Sequence, residues 1–572
     1  MASRAFRSYL LEQRQRSLPQ VALFSLFLVI VLALVACGGP SNNTTTSTKK
    51  TTHVLTVAVS PKGNFAENFN PFLPAGNVNL YGTNGMIYET LYFFNREDGT
   101  TTPMLATGYQ FSSDASSVTF TLRQGVKWSD GQPFTSDDVV YTLNLMQQNK
   151  SLDTSNLWDT IKNVSAPDAN TVVVNFTHPA QPIIWYLAGQ TYIVPKHVWQ
   201  SVSDPTKYTN NNPVGTGPFV LKSFTPQIYK LAKNPGYWQP GKPAVDELDY
   251  PAFDSNTSTE LLLSRGTLDW NGQFTPNIQK TYVDRDPAHN HYWFPAHQVT
   301  ALYMNMARFP FNNLAVRQAI SSAIDRDQLN KLGESGYQAP ASPTGLVLPA
   351  NKSFLSPDYA SSAFTVDTAK SASLLQSAGF TKGSDGIYAD STGRKLSFNL
   401  MVVTGWTDWV TDCQIIQSEM KNIGINVNVN AVSFNAYFTA LQMGTYDVAI
   451  HWTNPGPTPY YLYNTLLNSA NTAPVGKQAA SNWSRWSDSN TDKLLNQYAS
   501  TTDASTQQQD INGLQKIMVE QLPVIPLVYG STWYEYSTAR FTGWPDETHA
   551  YAVPGPFETP DAEIVVLHLQ PV

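Results

Sequence analysis

Between Leu396 and Trp452 the chain reads strand, helix, strand, helix, strand, an order that few folds accommodate. Leu396 to Val403 has strand character. Val410 to Ile423 carries apolar residues at helical spacing and is closed by Gly424. Ile425 to Val432 alternates with period two, Phe434 to Met443 forms a second helix closed by Gly444, and Tyr446 to Trp452 is a third strand. Helical crossovers between strands imply a parallel-type α/β sheet. Elsewhere, Val54 to Val59 alternates as a strand. Thr135 caps a helix with Asp138 three residues on, and Leu314, Val316, Ala319, Ile320, Ala323 and Ile324 form a helical apolar face. There are no internal repeats.

The N-terminus fixes the compartment. Val21 to Ala36 is almost wholly apolar behind Arg4, Arg7, Arg14 and Arg16, the pattern of a secretory signal peptide. The run is short for a spanning helix, which needs roughly 20 apolar residues. Leu34-Val35-Ala36-Cys37 resembles the lipobox of bacterial lipoproteins, which implies cleavage after residue 36 and lipidation of Cys37. Residues 37–53, rich in Gly, Ser, Thr and Asn, are expected to be a flexible tether that reaches about 45–50 Å when extended. Cys413, the one other cysteine, then has no partner, and its apolar-periodic setting suits a buried inert thiol.

Removing residues 1–36 leaves 32 basic and 42 acidic side chains, a net charge of −10. Such an exported acidic chain is a poor binder of nucleic acid. Its roughly 536 residues exceed one core and call for several domains. Charged residues are only 14% against 12% aromatics, a balance suited to neutral polar ligands.

No Gly-x-Ser-x-Gly, His-Glu-x-x-His or Walker-type motif occurs. Val214-Gly215-Thr216-Gly217-Pro218-Phe219 lacks the following Lys of a phosphate cradle and reads as a tight structural turn. His289, His291 and His297 sit in an irregular segment that makes a poor metal site. The pairs Glu247/Asp249 and Asp137/Asp138 read as solvated or capping carboxylates. Neither an enzyme nor a cofactor is expected.

Several blocks, in order, carry a resemblance: Asn70-Pro71-Phe72, Ile87-Tyr88-Glu89-Thr90-Leu91, Pro103-Met104-Leu105-Ala106, and the run from Phe120 to Phe134 containing Val126-Lys127-Trp128-Ser129-Asp130-Gly131. Val194-Pro195-Lys196-His197, Asn212 to Phe219, Asn234-Pro235-Gly236-Tyr237-Trp238 and Asn305 to Ile320 continue it. Over roughly residues 54–530 the chain strongly resembles the family 5 extracellular solute-binding proteins of ABC importers. The resemblance implies an α/β trap of two lobes, like a periplasmic binding protein, with an extra subdomain in the first lobe. Residues 54–85, 214–300 and 525–572 would form lobe I, 86–213 the inserted subdomain and 301–524 lobe II. It also implies a monomer on the outer face of the membrane (or in a periplasm), serving permease and ATPase subunits. A solute-sensing receptor of the same fold is the alternative.

In oligopeptide-binding members an Asp three residues beyond a strand-end Trp grips the ligand's α-amino group. Here the Tyr-Asp pair is Tyr446-Asp447, the Trp is Trp452 and the third position beyond is Pro455. A buried ammonium without a carboxylate would be costly. Thr453 and Asn454 offer neutral groups instead. Trp406 and Trp409 follow a strand end and resemble the sugar-binding branch, whose aromatic faces stack on sugar rings. Trp270 and Asn271 are further candidates. The expected ligand is an oligomeric polar solute, with a neutral oligosaccharide such as a cello-oligosaccharide placed ahead of an oligopeptide.

Overall fold

The computed structural model describes residues 52–74 and 76–572. The expected signal peptide, Cys37 and all but the last two residues of the tether lie outside them.

The expected α/β unit forms one edge of a five-stranded sheet. Its strands are β1 (Ala296–Met304), β2 (Ser397–Val403), β3 (Asn426–Val432), β4 (Val448–Trp452) and β5 (Ile525–Ser531), in the order β3-β2-β4-β1-β5. β2 pairs in parallel with both β3 and β4, and β1 runs antiparallel to β4 and β5. The crossovers are helices α1 (Thr407–Asn422) and α2 (Phe434–Met443). Gly444 ends α2 in the left-handed conformation, at φ 65°, where a side chain would be strained. Cys413, on the inner face of α1, is buried and burial pushes its thiol well up, so it is inert.

A seven-stranded sheet makes the other lobe, in the order 290–292, 535–537, 270–271, 54–58, 247–251, 228–233 and 219–225. Two segments expected with this first lobe, 296–300 and 525–531, hydrogen-bond in the five-stranded sheet instead. Their alternation fits either sheet, and pairing between β1 and β5 decides the matter. A four-stranded antiparallel sheet, formed by 106–111, 117–122, 161–168 and 171–176, lies within residues 86–213. Beside it runs helix Ser136–Gln148, closed at its start by the expected Thr135–Asp138 capping box.

The Gly215–Gly217 turn is structural. A Cβ on Gly215 would lie 1.8 Å from the Ile87 carbonyl oxygen, and one on Gly217 would lie 2.5 Å from that of Met86. Glu247 and Asp249 are ion-paired with Lys222 and Lys230. Among the described residues no group of His, Cys, Asp and Glu is arranged to hold a metal, and no helix is long and apolar enough to cross a membrane.

The chain passes between the large sheets twice, at 293–295 and 532–534. The two passages are tied together. Trp293 N–H donates to the Tyr534 carbonyl at 3.1 Å, and Thr532 N–H to that of Pro295 at 2.9 Å.

Candidate functional site

A cavity of about 540 Å³ lies where the two lobes and residues 86–213 meet. One wall is aromatic and rises from the ends of β2 and β4. Trp406 follows β2, Trp409 sits in the first turn of α1, and Trp452 ends β4. Trp406 meets Trp409 at 5.0 Å and Trp452 at 5.7 Å between ring centroids. Phe434 and Phe438 of α2 extend the wall. Trp406 and Trp452 are only partly buried, so each supports the core on one side and faces the cavity on the other. Strand ends are where open α/β sheets present ligand sites.

Amides and hydroxyls line much of the remainder, among them Gln273, Gln298, Thr300, Gln442, Asn464 and Gln478. Asn454 is exposed to the cavity, and its carboxamide oxygen accepts from the Trp452 indole N–H at 3.2 Å. Pro455 also lines the wall.

Three expected residues lie elsewhere. Thr453 is buried and closes the β1–β4 ladder, its N–H donating to the Val299 carbonyl while its hydroxyl accepts from Val299 N–H. Trp270 is fully buried, donates to the Pro554 carbonyl at 3.0 Å and packs on Trp544. Asn271 is fully buried and donates to Glu535 at 3.0 Å. Conversely, Trp185, Phe434, Phe438 and Trp533 line the cavity without having been singled out from sequence.

Charged groups at the cavity are committed to protein partners. Burial opposes the charge on Arg96, but Asp561 and Glu558, at 3.2 and 2.7 Å, overcome it and hold the guanidinium firmly charged. Asp408 is pushed up to about 7 by burial, against the pull of backbone N–H groups and of Asn256.

Asn256 belongs to the first lobe, so its contacts bridge the cleft. Its N–H donates to the Gly405 carbonyl at 3.0 Å, and its side chain donates to Asp408 at 3.1 Å and Thr407 at 3.3 Å. Across the other side, Tyr461 donates to the Pro182 carbonyl at 2.7 Å and packs on Trp185 at 4.7 Å. The cleft is closed over its cavity.

Burial raises four carboxyls, Glu89, Glu97, Asp408 and Glu419, to about 7. Each stays protonated in the fold over a range where it ionises when unfolded. Its contribution is therefore complete below the ordinary carboxyl range and is lost as pH rises towards 7. His297 and His451, lowered to about 3 by burial, oppose this by losing stability as pH falls below 6.5. Four carboxyls outweigh two imidazoles, so the melting temperature should be higher at pH 5 than at pH 7.5. A melting curve at each pH checks the sign.

A two-lobed α/β body closed on a cavity between its sheets is the fold of periplasmic binding proteins. The chain belongs to the bacterial extracellular solute-binding proteins, family 5, whose middle region matches residues 100–474. These proteins bind solutes for ABC importers, working with permease and ATPase subunits, and are not catalysts. The oligopeptide-binding protein OppA of Bacillus subtilis is 25% identical over 556 residues, covering 90% of this chain and 95% of its own. Among solved structures, a mannohexaose-bound periplasmic oligopeptide-binding protein of Thermotoga maritima superposes with a TM-score of 0.84 at 23% identity, covering 91% and 98% of the two chains. AppA of B. subtilis, in complex with a nonapeptide, gives 0.77 at 20% identity, with 91% and 99% covered.

Proposed function

We propose that this protein captures a neutral oligosaccharide between its lobes and delivers it to an ABC permease, held at the outer face of the membrane as a monomer through lipidated Cys37. The observation that carries the reading is the fan of Trp406, Trp409 and Trp452 facing a wall of uncharged amides and hydroxyls. Indole faces stack on the apolar faces of sugar rings, while amides meet the hydroxyls. Pro455 stands where the peptide-binding pattern has its carboxylate, and the mannohexaose held by the Thermotoga protein supports the same class.

A specific observation keeps oligopeptide as the second reading. Asp408, in the first turn of α1 and already accepting from Asn256, is a carboxylate lining the cavity, and the AppA structure holds a nonapeptide. Thermal-shift screening of residues 53–572 against cello-, xylo- and manno-oligosaccharides and mixed tri- to pentapeptides separates the two. A ligand at 100 times its Kd stabilises by about 2.7 kcal/mol. Stabilisation by oligosaccharides alone is expected. Stabilisation by peptides that Asp408→Asn abolishes would move the amino-group anchor to Asp408 and overturn the sugar reading.

A further inference from the structure

We propose that Trp533 couples occupancy of the cavity to the hinge, by joining the solute site to a four-ring cluster that assembles only when the lobes are closed. The paired passages 293–295 and 532–534 are the short ribbon on which the lobes turn. Trp533 lies in one passage and also lines the cavity. Its ring packs edge-on against Phe294 of the other passage at 4.9 Å and Phe274 at 5.3 Å, with Tyr337 at 6.2 Å. Phe294 and Tyr337 also meet directly, at 5.3 Å.

The four rings come from four different places. Phe274 follows the strand Trp270–Asn271 of the first lobe. Tyr337 belongs to the second lobe, since the next residues, Ala339 and Pro340, pair with β5. The Tyr337 hydroxyl oxygen accepts the N–H of Ile278, a first-lobe residue, at 3.1 Å. One ring therefore comes from each lobe and one from each passage, and turning the lobes apart separates Phe274 from Tyr337 and breaks the Ile278 bond. Edge-on aromatic contacts are directional, so the cluster favours one hinge angle over a range of them. A solute resting on the cavity side of Trp533 holds that ring in the cluster, and so favours the closed state through contacts that the open state lacks. The coupling applies to any solute that reaches Trp533 and does not depend on the oligosaccharide reading.

The test is therefore read without solute, for the bias of the cluster towards closure, and with mannohexaose or a mixed peptide pool as probe, for its coupling to occupancy. Small-angle scattering and hydrogen–deuterium exchange are recorded on residues 53–572, alone and with each probe, for the wild type, Tyr337→Phe, Trp533→Phe and Trp533→Leu. Tyr337→Phe keeps the ring and removes only the acceptor, so it remains informative if Trp533→Leu folds poorly. The expected result is a larger radius of gyration in all three variants, with and without probe. Amide exchange at Ile278 and across 293–295 and 532–534 should be about tenfold faster or more, with exchange in β2 unchanged. Scattering curves and exchange rates that superimpose on the wild type, with and without probe, for the Trp533 variants would overturn the proposal, and Trp533→Phe serves where Trp533→Leu folds poorly.

Discussion

Gly405→Ala is expected to hold the protein open and to weaken solute binding about tenfold to a hundredfold. A Cβ at Gly405 would lie 2.4 Å from the Asp254 carbonyl oxygen, 3.1 Å from Pro61 Cβ and 3.1 Å from Ser255 Cα. All three atoms belong to the opposite lobe, and none is the end of a flexible side chain. The neighbouring Asn256 N–H donates to the Gly405 carbonyl, so the two backbones are already at hydrogen-bonding distance. Intruding atoms in a packed contact typically cost about 1–3 kcal/mol. Here the strain lies between lobes, and a small turn about the hinge relieves it without unfolding either lobe. The penalty therefore falls on the closed state alone, and each 1.4 kcal/mol raises the apparent Kd about tenfold. Calorimetric titration should show weaker binding, while the ligand-free melting temperature stays near that of the wild type. Unchanged affinity would mean that the lobes need not approach this closely at Gly405 to retain a solute.

The sequence made the second lobe readable where order is local. The glycines at 424 and 444 close helices whose apolar spacing is plain, and β2 and β3 begin and end within a residue of the expected positions. Trp452 and Asn454 were legible for the same reason, since a strand end beside a polar turn is a local pattern. Trp270 and Asn271 carry that same pattern and are core residues. What buries them is Trp544, the Pro554 carbonyl and Glu535, more than 260 residues away along the chain. Trp533 was invisible for the converse reason. Nothing in Thr532-Trp533-Tyr534 distinguishes a hinge passage from a strand, and its role emerges only beside Phe274, Phe294 and Tyr337. Periodicity reports which face of an element is buried. It does not report which distant element covers that face.

Trp406→Ala is expected to remove most of the affinity for an oligosaccharide, a loss of about thirtyfold or more, as for a hot-spot residue worth at least about 2 kcal/mol. Trp406 stands at the centre of the aromatic wall, with Trp409, Phe434, Tyr437 and Trp452 within 6.0 Å of its centroid. Truncation removes a stacking face and also takes away a ring that packs on both Trp409 and Trp452, which meet each other at 6.0 Å. The same packing means that the variant loses stability. A fully buried Trp→Ala change costs about 3–5 kcal/mol, and a half-buried one less. Trp406→Phe separates the two effects. It restores most of the packing against Phe434 and Tyr437 but offers a smaller ring to the solute. Stability should thus return nearly to the wild-type value while affinity recovers only in part. If Trp406→Phe and Trp406→Ala bind equally well once the folded fraction is accounted for, the indole is a wall of the core and not a platform for the solute. The stacking role would then pass to Trp452, whose ring is held to Asn454 by the hydrogen bond from its indole N–H.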